Sequence, residues 1–228
     1  MDVSDYQFRR PNPQVRTIST LFGEDGGAAQ QTLPVTIGGR PYLIFTDEAG
    51  SRGFGVQGMQ DACARAVPPH GFARIIDISD EKNPKVVSKR MLEVHEPANC
   101  SAVLHDSTNP AFWYDSHYCT VDHPKNAKLA ACAYFQAGVR VFDIRDPYHP
   151  KEVAYYKPGA VGSASRPGSA LAQFNPGPRD HDWSSSNIRF VKVKGEHYLW
   201  FTSHDNGFQV VKFTNHLKKI AEELDDDD

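Results

Sequence analysis

The sequence predicts an all-β protein assembled from about three copies of a four-stranded antiparallel unit. Short runs of β-branched and aromatic residues alternate with turns rich in Pro, Gly, Asn and Asp. These runs recur in the same order along the chain, and the best-defined copy has no purely polar face. A sheet of that kind is expected to lie between two neighbouring sheets.

The central copy covers residues 117–157. Its four runs are Tyr118–Asp122, Leu129–Phe135, Val139–Ile144 and Glu152–Tyr156. Because side chains alternate along a strand, Val139 and Val141 are predicted to share one face of the third run. Phe142 and Ile144 are predicted to share the other face.

Two further copies are predicted at residues 32–92 and 187–213, the second of them with three strands. Val35–Thr46 aligns without a gap with Val191–Thr202, and both contain Tyr-Leu-x-Phe-Thr. Gly71–Ile78, Gly138–Ile144 and Gly207–Phe213 also align, and turns ending in Pro84 and Pro150 follow the first two. Self-similar units of about 40–45 residues with four strands each are typical of β-propellers and similar arrays.

Residues 73–84 and 138–150 resemble the LVIVD repeat, in which a hydrophobic strand ends in Asp-Ile or Asp-Val before Ser/Arg-Asp-x-x-x-Pro. The third copy matches in part, because Lys212 stands in the place of the Asp and the Asp-Pro turn is missing. About half of the chain carries the resemblance. It implies a β-propeller and a secreted or cell-surface setting, and it implies no particular reaction.

The ends of the chain are predicted as follows. Residues 1–14 form an extended arm, since prolines disfavour a helix there. Residues 15–22 alternate like a strand and form the outer strand of a blade that lies elsewhere, or complete the last copy. Residues 214–228 form a short helix, with apolar residues at helical spacing, and an acidic tail.

Three copies are too few for a closed ring, because propellers typically have 4–8 blades. The chain is therefore either part of a longer propeller, with missing blades, or one half of a ring that a homo-oligomer shares. The first interpretation is favoured.

Composition and charge disfavour some classes of partner and of membrane segment. The net charge of −3 comes without a basic cluster, so no nucleic acid is expected as a partner. No apolar stretch approaches the ~20 residues of a transmembrane segment. The N-terminus shows no apolar signal-peptide region, which conflicts with the export that the resemblance implies.

The three long insertions, Glu48–His70, Glu93–Ser116 and Pro158–Ser186, are predicted to crowd one end of the propeller. They join second to third strands or one copy to the next, whereas the turns at the opposite end are short. Because function is often carried by long loops on a rigid scaffold, the leading hypothesis is a binding or scaffold propeller. Its long-loop face would hold a protein or a small-molecule partner. The other interpretation is that the insertions are disordered decorations.

Histidine, aspartate and tryptophan residues concentrate in or beside these insertions. The candidate ligand-binding residues are His95, His105, His117, His181, Asp182, His204, Trp113 and Trp183. The candidate ligands of a divalent metal are His117, His181, Asp180 and His204. The competing hypothesis is therefore a metal-dependent enzyme with a His/Asp centre at the channel mouth, although no known ligand spacing is present and no catalytic residue is assigned. The alternative role for these side chains is to hydrogen-bond loop backbones.

The four cysteines fall into two groups. Cys63 and Cys100 lie in two different insertions, where a disulfide would join the loops and fit an oxidising compartment. Cys119 and Cys132 lie on adjacent strands and are expected to pack as small buried apolar residues.

Overall fold

The computed structural model describes residues 1–50, 55–105, 114–159, 168, 182–184 and 186–225. This part of the chain is mostly β, with three antiparallel sheets, none of them closed. Sheet 1 contains β1 (Ala29–Ile37), β2 (Arg40–Asp47), β3 (Ala73–Asp77) and β4 (Lys85–Arg90). Sheet 2 contains β5 (Cys119–Val121), β6 (Leu129–Ala133), β7 (Val139–Asp143) and β8 (Lys151–Tyr156). Sheet 3 contains β9 (Arg189–Val193), β10 (Glu196–Ser203) and β11 (Gly207–Lys212).

Helices lie between and beside the sheets. They are α1 (Ser4–Gln7), α2 (Gly55–Ala64), α3 (Cys100–His105) and α4 (Asn215–Asp225), with 3-10 turns at Glu93–His95 and Pro97–Asn99. The C-terminal helix was predicted, whereas α1 corrects the extended arm and α2 and α3 were not foreseen. None of these described helices is long and apolar enough to cross a membrane.

Each sheet is a meander, in which strands that are consecutive in sequence pair side by side. The third strands β3, β7 and β11 therefore hold the same place. The pairing registers make three pairs equivalent: Ile44 with Ile75, Ala131 with Val141, and Trp200 with Val210. We call the face that carries these pairs the front face of each sheet, and the opposite one the back face.

The sheets pack front face on back face. In the first junction, Ile44 and Ile75 of sheet 1 share a core with Phe142 and Ile144 of sheet 2. In the second junction, Val139 and Val141 share a core with Leu199 and Phe201 of sheet 3 and with one face of α4. The central sheet is thus buried on both faces, which confirms the prediction from its alternating pattern.

The first strands β1, β5 and β9 contact one another in turn. Corresponding ends of sheets 1 and 2 also lie side by side, as contacts at both ends of the first junction show. At one end, the Thr36 amide donates to the Pro124 carbonyl in a short turn. At the other end, the Thr46 hydroxyl donates to the His117 carbonyl, over 2.8 Å, where the insertions begin and end. We call this second end the long-loop end.

The prediction of a strand at residues 15–22 is wrong for the structure described. The only β-type pairing here is an isolated bridge between Asp2 and Arg16. The Arg16 guanidinium contacts the carboxylates of Asp5 (2.7 Å) and Asp2 (3.5 Å), so this segment is tied to α1. Alternating apolar residues do not form a strand without a neighbour to pair with.

All four cysteines are in disulfides. One joins Cys63 of α2 to Cys100 of α3, the two residues that the sequence singled out. The expectation that Cys119 and Cys132 pack as separate apolar side chains is wrong, because the second disulfide joins them. They lie directly opposite each other in β5 and β6, with Cα atoms 4.0 Å apart, as in the closely spaced pairs of an antiparallel ladder.

Candidate functional site at the long-loop end

Glu48, Phe135 and His204 hold equivalent positions just beyond β2, β6 and β10, at the long-loop end of the three sheets. The entries to β5 and β9 lie beside them. The Ser184 amide donates to the Phe135 carbonyl (3.0 Å), and the His204 amide donates to the Trp183 carbonyl (3.0 Å). Residues from three sheets and two connections therefore converge here.

Glu48 and His117 form the half-buried centre of the first junction at this end. The His117 Nε2 atom lies 3.5 Å from Glu48 Oε1, and their side chains are 18% and 15% exposed. Gln30 lies beside this pair, with its Nε2 atom 3.1 Å from His117 Nε2 and 3.0 Å from the Tyr118 hydroxyl oxygen. Solvent therefore reaches a small group of polar side chains that the surrounding strands position.

The surroundings of Glu48 disfavour the ionised form of its carboxyl group. Burial, and then the negative charge of Asp115, raise the pKa of Glu48 to about 7. Burial also raises the pKa of Asp47, against the opposing effect of the Arg74 guanidinium 2.8 Å away. A cation beside Glu48 would favour its ionised form and lower its pKa.

Asp115 and Ser116, at the entry to β5, hydrogen-bond to the loop before β3 and to the end of β2. The Gly71 amide donates to Asp115 Oδ1 (2.5 Å), and the Ser116 hydroxyl donates to the Asp47 carbonyl (3.0 Å). A side chain at Gly71 would collide with that same carbonyl, so only glycine allows this close approach. These contacts fix the backbone segments that carry Glu48 and His117.

His95, a predicted ligand-binding residue, lies inside the first junction and is fully buried. Its Nδ1 accepts a hydrogen bond from the Leu92 amide (3.0 Å), and its Nε2 lies 2.8 Å from the Tyr114 carbonyl oxygen. Burial, and then the neighbouring His70, lower the pKa of His95 to about 3, so the ring is neutral. A buried neutral imidazole with both nitrogens engaged is not available to an outside ligand.

Asp182 organises the corresponding loop of the second junction. Its buried carboxylate accepts hydrogen bonds from the amides of Trp183 (2.7 Å), Asp205 (2.8 Å) and Asn206 (2.7 Å). The Asn206 side-chain amide donates to it as well, over 2.8 Å. Asp182 therefore holds the β10–β11 turn in place, the structural role that the sequence left open for such residues.

An aromatic row connects the two junctions. Ring centroids are 5.0 Å apart between His117 and Phe135, 5.7 Å between Phe135 and Trp183, and 5.6 Å between Trp183 and His204. His117 and His204, the two histidines of the predicted metal set that the structure describes, thus lie at opposite ends of this row. Within the described ranges, no group of three or more His, Cys, Asp or Glu side chains is placed to hold a metal ion.

The structure does not describe four of the predicted site residues or their side chains. Trp113, Asp180 and His181 lie outside the described residues, as does the side chain of His105. Glu48 and Gln30 were missed by the sequence reasoning. One signal was present for Glu48: extending the gapless match of Val35–Thr46 with Val191–Thr202 by two residues aligns Glu48 with His204.

A scan against models of known protein families found no match, and a search of curated proteins found no relative.

Proposed function

We propose that this chain is part of a β-propeller that binds a partner or ligand at its long-loop end. The observation that carries the proposal is the succession of contacts between first strands, β1 to β5 and β5 to β9, in sheets that pack front on back. Radial repetition of four-stranded sheets about a central line is the architecture of a propeller. The resemblance to the LVIVD repeat supports the same fold.

Binding is favoured because the long-loop end is held rigid while its centre stays accessible. Asp115, Asp182 and the Cys63–Cys100 disulfide fix the loops, and the Glu48–His117 pair remains partly exposed. Sites that are largely pre-formed lose less free energy to ordering when a ligand binds. The two disulfides suit an oxidising setting, such as a secreted or cell-surface location.

The charge of the site indicates the chemistry of the partner. Glu48 is a half-buried carboxyl group whose ionisation burial and Asp115 oppose. A ligand that brings an ammonium or guanidinium group to this point would offset both effects. We therefore propose a cationic group on a protein or small-molecule partner as the part that Glu48 recognises.

The competing function is a metal-dependent reaction at the same end. The proximity of His117 Nε2 to Glu48 Oε1, 3.5 Å apart, favours it, because imidazole and carboxylate groups are common ligands of divalent cations. Asp180 and His181, which the sequence also predicts as ligands, lie outside the described residues and would have to complete such a centre.

A thermal-shift panel separates the two functions. Divalent cations, amines, guanidinium compounds and cationic peptides are tested against the wild-type chain, His117→Ala and Glu48→Gln. His149→Ala is the control, since His149 is exposed in a turn at the opposite end. Binding predicts that a cationic organic probe raises Tm, that Glu48→Gln abolishes the shift and that the control keeps it.

The metal function predicts instead a stoichiometric metal in the purified chain by elemental analysis, lost in His117→Ala. A shift that survives both long-loop variants, or that disappears in His149→Ala, would contradict a site at this end.

A further inference from the structure

Sheet 3 exposes an apolar face that sheets 1 and 2 bury. In the front face of sheet 1, Ile44, Ala73 and Ile75 are at most 2% exposed, because sheet 2 covers them. The equivalent residues of sheet 2 are equally buried under sheet 3. In sheet 3 the same positions are held by Trp200, Phe208 and Val210, which are 38%, 62% and 50% exposed.

These exposed side chains form a continuous patch. Trp200 lies directly opposite Val210 in the β10–β11 ladder, and the Trp200 and Phe208 rings meet edge to face with centroids 5.8 Å apart. Val193, also exposed, lies in the neighbouring strand β9. Large aromatic residues together on one sheet face are typical of an interface rather than of a solvated surface.

Sheet 1 carries the complementary half. Its back face has Phe45 and Ile76 at the positions where sheet 2 places Cys132 and Phe142 against the preceding sheet. Phe45 is partly exposed, whereas Ile76 is only 8% exposed. A cleft of about 300 Å³ opens on this face, and its lining combines the apolar side chains of Leu21, Phe45, Ile76 and Val86 with the charged side chains of Asp25, Asp47 and Arg74. Residues 21–27 cover part of this face, where the Arg74 guanidinium donates to Asp25 and the Gly27 amide donates to Asp47, but no described sheet packs onto it.

We propose that the front face of sheet 3 docks onto the back face of sheet 1 of a second copy of the chain. Two copies joined in this way twice form one ring of six sheets. The proposal rests on the propeller fold proposed above, and six blades lie within the usual range of about 4–8. A second copy fits because the chain carries both halves of the junction and already uses front-on-back packing twice.

The N-terminal segment supports the same partner. Leu21 lines the cleft on the back face of sheet 1. The end of the segment 15–22 therefore lies on the side of sheet 1 where a second copy would dock. Val15 and Phe22 of this segment are exposed. Sheet 3 has three described strands where sheets 1 and 2 have four. A docked copy would bring its residues 15–22 beside the sheet with the fewest described strands.

Sedimentation equilibrium tests the proposal with one variant on each face. Phe208→Glu changes the front face of sheet 3, and Phe45→Glu changes the back face of sheet 1. Tyr155→Glu is the control, because Tyr155 is 68% exposed on the outer strand of sheet 2. The wild-type chain and the control should have the mass of two copies, and each interface variant should raise the dimer dissociation constant at least about tenfold.

Mixing the two variants gives the sharpest result. A mixed dimer has one junction with both faces altered and one junction with both faces intact, so the mixture should dimerise more tightly than either variant alone. A dimer that joins two front faces would not be restored by mixing, and Phe45→Glu alone would leave it unchanged. Val86→Glu, at a position 38% exposed, replaces Phe45→Glu if circular dichroism shows that the latter does not fold.

A wild-type chain that stays monomeric, assembles beyond two copies, or dimerises through two front faces would overturn the shared ring. The thermal-shift response of the long-loop end is measured on the same samples. A monomer that still responds to a cationic probe would remove the ring and leave the proposed binding function standing.

Discussion

Ile75 and Val210 occupy the same position in the third strands of sheets 1 and 3, yet one is buried and the other is half exposed. Both are β-branched and apolar, so strand propensity does not separate them. The difference comes from the neighbour: sheet 2 covers Ile75, whereas no described part of the chain covers Val210. The strand pattern predicts an apolar front face in both sheets. Whether that face is buried depends on whether another sheet packs onto it.

The largest expected effect follows directly from this comparison. Ile75→Ala should lower the free energy of unfolding by about 2–5 kcal/mol, because it opens a cavity in the first junction. Val210→Ala should cost less than about 0.5 kcal/mol at a protein concentration where the chain is monomeric. Urea unfolding measures both, and Val141→Ala, the same substitution at a buried equivalent position, is the matched control. Equal costs for Val141→Ala and Val210→Ala would contradict the difference between the faces.

A smaller effect is expected from the loops of the first junction. Replacing Cys63 and Cys100 together by serine should lower the free energy of unfolding by about 2–4 kcal/mol, because the unfolded chain gains freedom. Limited proteolysis should then cut faster near Arg65, beside α2, while sheet 3 keeps its protection. An equal loss of protection in sheet 3 would show that the disulfide acts on the whole stack.

The smallest effect concerns ionisation at Glu48, whose counterpart in the second junction is His204. The folded chain holds a proton on Glu48 up to about pH 7, whereas the unfolded chain releases it near the ordinary value of 4.5. The folded state is therefore favoured fully below pH 4.5, and this advantage is lost as the pH rises through 7.

Glu48→Gln should remove this dependence, so the variant should be more stable than wild type at pH 8 and no different at pH 4. Unfolding by urea across that range provides the measurement. Glu222→Gln, on the exposed face of α4, is the control and should match wild type at every pH. A stability difference that does not vary with pH would contradict the raised pKa.

Much of the secondary structure could be predicted, because strands and turns leave local signals. The alternation in Val139–Asp143 and the helical spacing in residues 214–228 both correspond to the elements observed. The helix α2 was missed because glycines weaken its pattern, and only Met59 and Ala62 of it are buried. The segment at residues 15–22 shows the reverse error, since its alternation is local but a strand needs a partner.

The candidate site was predicted in its location more than in its members. The sequence placed His117 and His204 at the long-loop end, as the structure does, and it counted His95 and Asp182 as ligand-binding residues although both are buried and hydrogen-bonded. Glu48 was missed because its raised pKa depends on burial and on Asp115, a residue distant in sequence. Such effects arise from contacts between insertions, which no local pattern records.

By itself the sequence determined which side chains share a face, because alternation is a property of each strand and needs no neighbour. Only the tertiary structure decided which faces are covered, which cysteines meet and which carboxyl group has a raised pKa. Each of these depends on the distance between segments far apart in the chain. Burial, disulfide pairing and desolvation all follow from that distance.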